Sequence, residues 1–130
     1  MTITIALLAL LQFTFISLAA LNNSYMDLIA QFDALKSWGY LYSKEAMEAP
    51  KEGIYKYFPK DFWHESKRIV VMCFGIAIGI SFAIGLLSSV RIHDYHVLIL
   101  ISICDMVLSW IVFSASFEFF YSRGRRKYVK

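Results

Sequence analysis

The sequence predicts an all-α integral membrane protein: an N-terminal transmembrane helix, then a helical hairpin of two further spans, with an amphipathic interfacial helix between them. Three observations predict it. Hydrophobic residues make up 58% of the chain and mean hydropathy is +0.55, whereas a soluble domain carries about 45–50% apolar residues. The apolar residues gather in blocks at 3–21, 69–90 and 97–121; at about 1.5 Å of helical rise per residue, each suits a hydrocarbon core of roughly 30 Å. All basic residues except Arg91 lie in the segment between the first two blocks or after the third. A single membrane domain over residues 1–130 is expected, with the bilayer as solvent and bound lipid around it.

The first block, Ile3 to Leu21, contains no charge. Ser17, Leu18 and Ala19 before Ala20 resemble a signal-peptide cleavage site, but no basic n-region precedes the apolar run, which favours a retained span. After Asn22, Asn23 and Ser24, the apolar positions Tyr25, Leu28, Ile29, Phe32 and Leu35 recur at helical spacing up to Gly39. This pattern predicts a separate amphipathic helix at the membrane surface.

From Tyr40 to Trp63 the chain mixes lysines with aromatics, among them Tyr55, Tyr57, Phe58, Phe62 and Trp63. Amphipathic rings suit the headgroup region, where one edge is apolar and the other wet. Pro59 fits the first turn of a helix, where its missing N–H costs nothing, so the second span is expected to begin near Lys60 and enter lipid at Ile69. Arg91 to His96 form so short a connection that the third span must run antiparallel beside the second. Only Asp105 and Glu118 interrupt that third block before the basic tail, 122–130. Glu118 lies within reach of the interface and of Arg123.

Charge sets the expected orientation. With three spans, the N-terminus and the 91–96 connection share one side, which holds Arg91 alone; the 22–68 segment and the tail together hold the other twelve basic residues. Basic residues near span ends stay cytoplasmic and acids count little, so the N-terminus is expected outside and the C-terminus on the cytoplasmic or equivalent side. The Asn22-Asn23-Ser24 sequon would then face the cytoplasm, and no glycan is expected.

Besides the interfacial aromatics, three kinds of residue are candidates for function. Gly75, Gly79 and Ala83 form one track of small side chains on the second span, and Ala77, Ser81 and Gly85 another. Small residues let helix backbones approach closely, which drives association where lipid removes the hydrophobic incentive. Asp105 is the intramembrane acid, with Ser102, Ser109 and Ser116 on roughly its face; a carboxylate at that depth costs a few kcal/mol unless paired, hydrated or protonated. Partners for it in the first span include Gln12 and Thr14. His93 and His96 flank a polar turn, where histidine needs no special role, although such residues can bind haem, pigment or metal.

No nucleophile elbow, phosphate-cradling loop, metal-ligand spacing or paired-carboxylate arrangement appears, so neither an enzyme nor a resident cofactor or metal is expected. The modest net charge of +3 does not point to nucleic acid, and Cys73 and Cys104 fall within apolar blocks, where thiols act as small hydrophobes. The leading expectation is a non-catalytic accessory or assembly subunit that stabilises or regulates a larger membrane protein complex through helix packing. The alternative is a homo-oligomeric channel or transporter element in which copies of Asp105 line the pathway.

Overall fold

A computed structural model describes residues 2–50, 52, 61–90 and 92–128. All regular structure among them is helical: α1 (Thr2–Phe32), 3₁₀ turns at Lys36–Trp38 and Tyr40–Tyr42, α2 (Lys44–Glu48), α3 (Phe62–Ser89) and α4 (Tyr95–Tyr128). Of these, α1, α3 and α4 are long and apolar enough to cross a membrane. They contain the three predicted blocks, except that Val90 caps α3.

The interfacial helix expected after residue 24 is not separate. α1 continues through Asn22, Asn23 and Ser24 to Phe32, because two of these polar side chains bond back onto the helix that carries them: Asn22 Nδ2 donates to Leu18 O (2.9 Å) and Ser24 Oγ to Leu21 O (2.7 Å). Nor is the helix stopped by Gly39. It ends where Asp33 turns left-handed (φ 50°), with Asp33 N bonded to Ile29 O, the single bond of an αL cap, and Ala34 N bonded to Leu28 O. Gly39, at φ 126°, instead separates the two 3₁₀ turns, in a backbone conformation that favours glycine.

α3 begins at Phe62, close to the start expected near Lys60. Asp61 is its N-cap, accepting from His64 N (3.0 Å) through Oδ1 while Oδ2 lies 2.6 Å from His64 Nδ1. Pro59 and Lys60 lie outside the described residues. At the other end of the hairpin, His96 N donates to Asp94 Oδ1 at the start of α4 (2.9 Å). The segment expected as a tail is helical through Tyr128, with Arg125, Arg126 and Lys127 in the last turn complementing the negative end of the helix dipole.

The largest revision concerns packing. The sequence reading places the second and third spans side by side, yet α3 and α4 each pack along α1 and approach one another at few positions. Ser81 meets Asp105 (2.7 Å) and Phe74 meets Phe113 (ring centroids 5.4 Å), a pairing that confirms antiparallel arms. α1 lies antiparallel to α3 and parallel to α4: Gln12 reaches Ser81 and Ser109, Tyr25 meets Phe62, and Tyr121 Oη donates to Gln31 Oε1 (2.8 Å). Side-chain size explains the choice. Cys73, Ala77 and Ile80 are buried on the α1-facing side of α3, where small residues admit a close neighbour, while Met106, Trp110 and Phe113 line a cleft left open between α4 and α3.

An aromatic cluster ties the ends of the long helices together. Trp38 packs against Tyr25, Tyr42 and Tyr128, with ring centroids 5.5–6.4 Å apart, and Phe62 joins through Tyr42 (4.8 Å) and Tyr25 (6.4 Å). Such pairs contribute about 0.5–1.5 kcal/mol each beyond area burial. Arg125 lies over the Phe32 ring at 5.5 Å, adding a contact between the ends of α1 and α4.

Candidate functional site

The apolar middle of the three helices holds one polar focus, and a side chain of α1 organises it. Gln12 is 1% exposed. Its Nε2 lies 3.0 and 3.1 Å from the two carboxylate oxygens of Asp105, 2.9 Å from Ser81 Oγ and 3.1 Å from Ser109 Oγ. Two N–H groups are therefore shared among four acceptors on α3 and α4. Ser81 Oγ adds the shortest bond, donating to Asp105 Oδ2 at 2.7 Å. A second polar contact lies along the α1–α4 seam, where Ser17 Oγ and Ser116 Oγ are 3.1 Å apart.

Asp105 thus accepts from two helices, each supplying a neutral donor. Neutral hydrogen bonds offset part of the cost of a carboxylate in an apolar setting, where an unpaired polar group is most costly. The opposite side of the amide is not compensated: Gln12 Oε1 is buried and has no hydrogen-bond partner, as is also true of Ser66 Oγ nearer the start of α3. Buried acceptors without a partner are uncommon in folded proteins, so this one marks the focus as chemically incomplete.

Beside the focus lies a cleft of about 660 Å³ between α3 and α4, with α1 as its floor. Asp105, Gln12, Ser81 and Ser109 give it one polar region; Phe74, Ile84, Ile101, Trp110 and Phe113 form apolar walls. Gly85 lines it too, and a Cβ there would meet nothing within 4 Å.

The remaining candidates fall in different places. Ser102 lines the cleft, but its hydroxyl bonds to Leu98 O (3.0 Å). Thr14, a possible partner of Asp105 by sequence, bonds to Leu10 O instead (2.9 Å). On α3 the two small-residue tracks separate: Ala77 is buried and Ser81 joins the polar focus, whereas Gly75 and Gly79 are exposed with open space at their Cβ positions. Ala83 is half-buried.

Phe62 and Trp63 are both half-buried; Phe62 joins the aromatic cluster and Trp63 lies under Lys67 Nζ (5.5 Å from the ring centroid). Tyr55, Tyr57 and Phe58 lie outside the described residues, as does Arg91. His93 and His96 are exposed, and among the described residues no group of three or more His, Cys, Asp or Glu is placed to hold a metal ion. Glu118 is exposed, and no ion pair to Arg123 is present.

Sequence reasoning treated Ser81 as a packing residue and missed its bond to Asp105. A signal for it was available: Ser81 and Asp105 are equally far along the chain from His93, so antiparallel arms bring them to one depth. The cleft had no such signal, because it exists only once α1 stands between the arms. No family model matches the chain, and no curated protein or solved structure matches it.

Proposed function

We propose that this chain is a multi-pass membrane protein, N-terminus outside and C-terminus cytoplasmic or equivalent, acting as a non-catalytic accessory or assembly subunit of a larger membrane complex. The observation that carries this reading is the outward face of α3. Gly75 and Gly79 lie there with nothing near their Cβ positions, while the other track, with Ala77, already seats α1.

A mid-helix glycine costs about 0.5–1 kcal/mol relative to alanine, and in lipid it offsets that cost by letting another backbone approach. Within this chain Gly75 and Gly79 receive no such approach. A partner's transmembrane helix packed across them supplies it, and the exposed apolar surface of α4, none of which is buried across its most apolar window, offers further area for the same complex.

Extraction in a mild detergent followed by native mass spectrometry tests the reading. The expected result is a stoichiometric, different polypeptide travelling with the 15.0 kDa chain and lost when Gly75 and Gly79 are both replaced by leucine. Only multiples of this chain would instead favour the homo-oligomeric ring around Asp105. In that case Asp105→Asn would abolish ion flux without altering assembly.

A further inference from the structure

The cleft between α3 and α4 is unrelated to the outward glycine face and carries its own chemistry. At about 660 Å³ it falls within the roughly 300–1,000 Å³ of small-molecule sites, which are mostly apolar with a few convergent polar groups. Its walls and polar region follow that division.

The polar region is short of donors. A carboxylate offers about four lone-pair positions, and Asp105 receives one hydroxyl bond and a shared amide from the chain. No lysine, arginine or histidine lines the cleft, so an acidic side chain in apolar surroundings has no basic neighbour there. A metal ion would need more ligands than one carboxylate, and none gather among the described residues. What complements the site is a guest that brings both positive charge and N–H donors together with apolar bulk. The faces of Phe74, Trp110 and Phe113 suit the alkyl part and also favour a nearby cation.

We propose that this cleft binds a lipophilic amine, its ammonium group on Asp105 and its hydrocarbon among Phe74, Trp110 and Phe113. The proposal rests on the membrane placement of the chain and not on the accessory role, since the Gly75–Gly79 face takes no part in it.

Trp110 supplies the readout. The protein is placed in phosphatidylcholine nanodiscs, incorporation is verified first, and tryptophan emission is followed while a nitroxide-labelled dodecylamine is added. The same label on dodecanol serves as the uncharged comparison. The expected result is saturable quenching by the amine, absent with the alcohol and lost in Trp110→Phe, which assigns the signal to the cleft. Asp105→Asn should weaken amine binding by about tenfold or more, the worth of a charge-assisted hydrogen bond.

Gly85→Leu, whose side chain enters the open space of the cleft with Asp105 intact, should block saturation as well and decides the matter if Asp105→Asn does not incorporate. Quenching by amine and alcohol alike, no saturation in the native chain, or amine binding unchanged in Asp105→Asn or Gly85→Leu would overturn the proposal. Failure of incorporation would instead count against the membrane placement.

Discussion

Gln12 connects α1 to both other long helices through a single amide, so its replacement tests how far that one group holds the helices in place. Gln12→Leu leaves Asp105 with the Ser81 hydroxyl alone. The expected loss is about 1–2 kcal/mol, the range of hydrogen bonds between membrane helices, read as a lowered thermal midpoint in detergent. Gln12→Glu should cost more than Gln12→Leu, because it sets a second carboxylate against the first; an equal or smaller loss would mean that Asp105 does not depend on donors from α1. Asp33 is a second sensitive residue. Its left-handed backbone suits Gly, Asn or Asp, and its Oδ1 accepts from Lys44 N at 2.6 Å. Asp33→Asn should therefore be tolerated, while Asp33→Ala should lower stability by about 1–2 kcal/mol by combining backbone strain with a lost hydrogen bond.

At the scale of elements, glycines that look alike in the sequence separate by what faces them. A Cβ at Gly124, near the end of α4, would collide with Leu28 Cδ1, and Leu28 is fully buried in α1. Gly124→Ala should cost about 1–3 kcal/mol through overpacking. Gly79→Ala should leave the isolated chain unchanged or raise its stability by about 0.5–1 kcal/mol, since open space surrounds that position. Thermal unfolding of the two variants side by side checks the contrast. Helix length belongs to this scale too. With 31 and 34 residues, α1 and α4 extend about 46 and 51 Å at the standard rise, well beyond a hydrocarbon core of roughly 30 Å. In the proposed membrane placement the aromatic cluster around Trp38 would lie on the overhanging segments, where amphipathic rings are favoured. Trp38→Ala should loosen these ends first, seen as faster amide exchange at the C-terminal ends of α1 and α4 before any change near Gln12.

For the molecule as a whole, the charge asymmetry yields a prediction of topology. A reporter fused after Lys130 should be active only on the cytoplasmic or equivalent side, and a cysteine introduced at Thr2 should react with an impermeant maleimide from the opposite face. Labelling of Thr2→Cys only after the membrane is opened would reverse the orientation, together with the cytoplasmic placement of the 22–68 segment. The fan-like arrangement, with α1 between two arms, also makes a joint prediction: disturbing α1 at Gln12 should alter both the α3 and the α4 environment, whereas disturbing an arm away from the Ser81–Asp105 and Phe74–Phe113 contacts should spare the other. Methyl or fluorine labels on Ala77 and Ser109 positions would report the difference.

The three span-length helices, their order and the antiparallel arms were legible in the sequence, because runs of uncharged apolar residues separated by short polar connections leave the chain few arrangements. Asp105 stood out for the same reason, being a carboxylate in an apolar block, and Gln12 was already among its possible partners. Which helix lies between the other two was not legible, since small-residue tracks exist on two faces of α3 and nothing in their spacing says which of them seats α1. Ser24 and Asn22 misled for a related reason: as isolated letters they mark a boundary, but within a helix already formed they bond to carbonyls of the preceding turn and let it continue. The sequence by itself determined which segments are helical and apolar, a consequence of local composition and period; the cleft, the unpartnered acceptor on Gln12 and the vacant glycine face were decided by tertiary structure, because each depends on the shape left over when three particular surfaces meet.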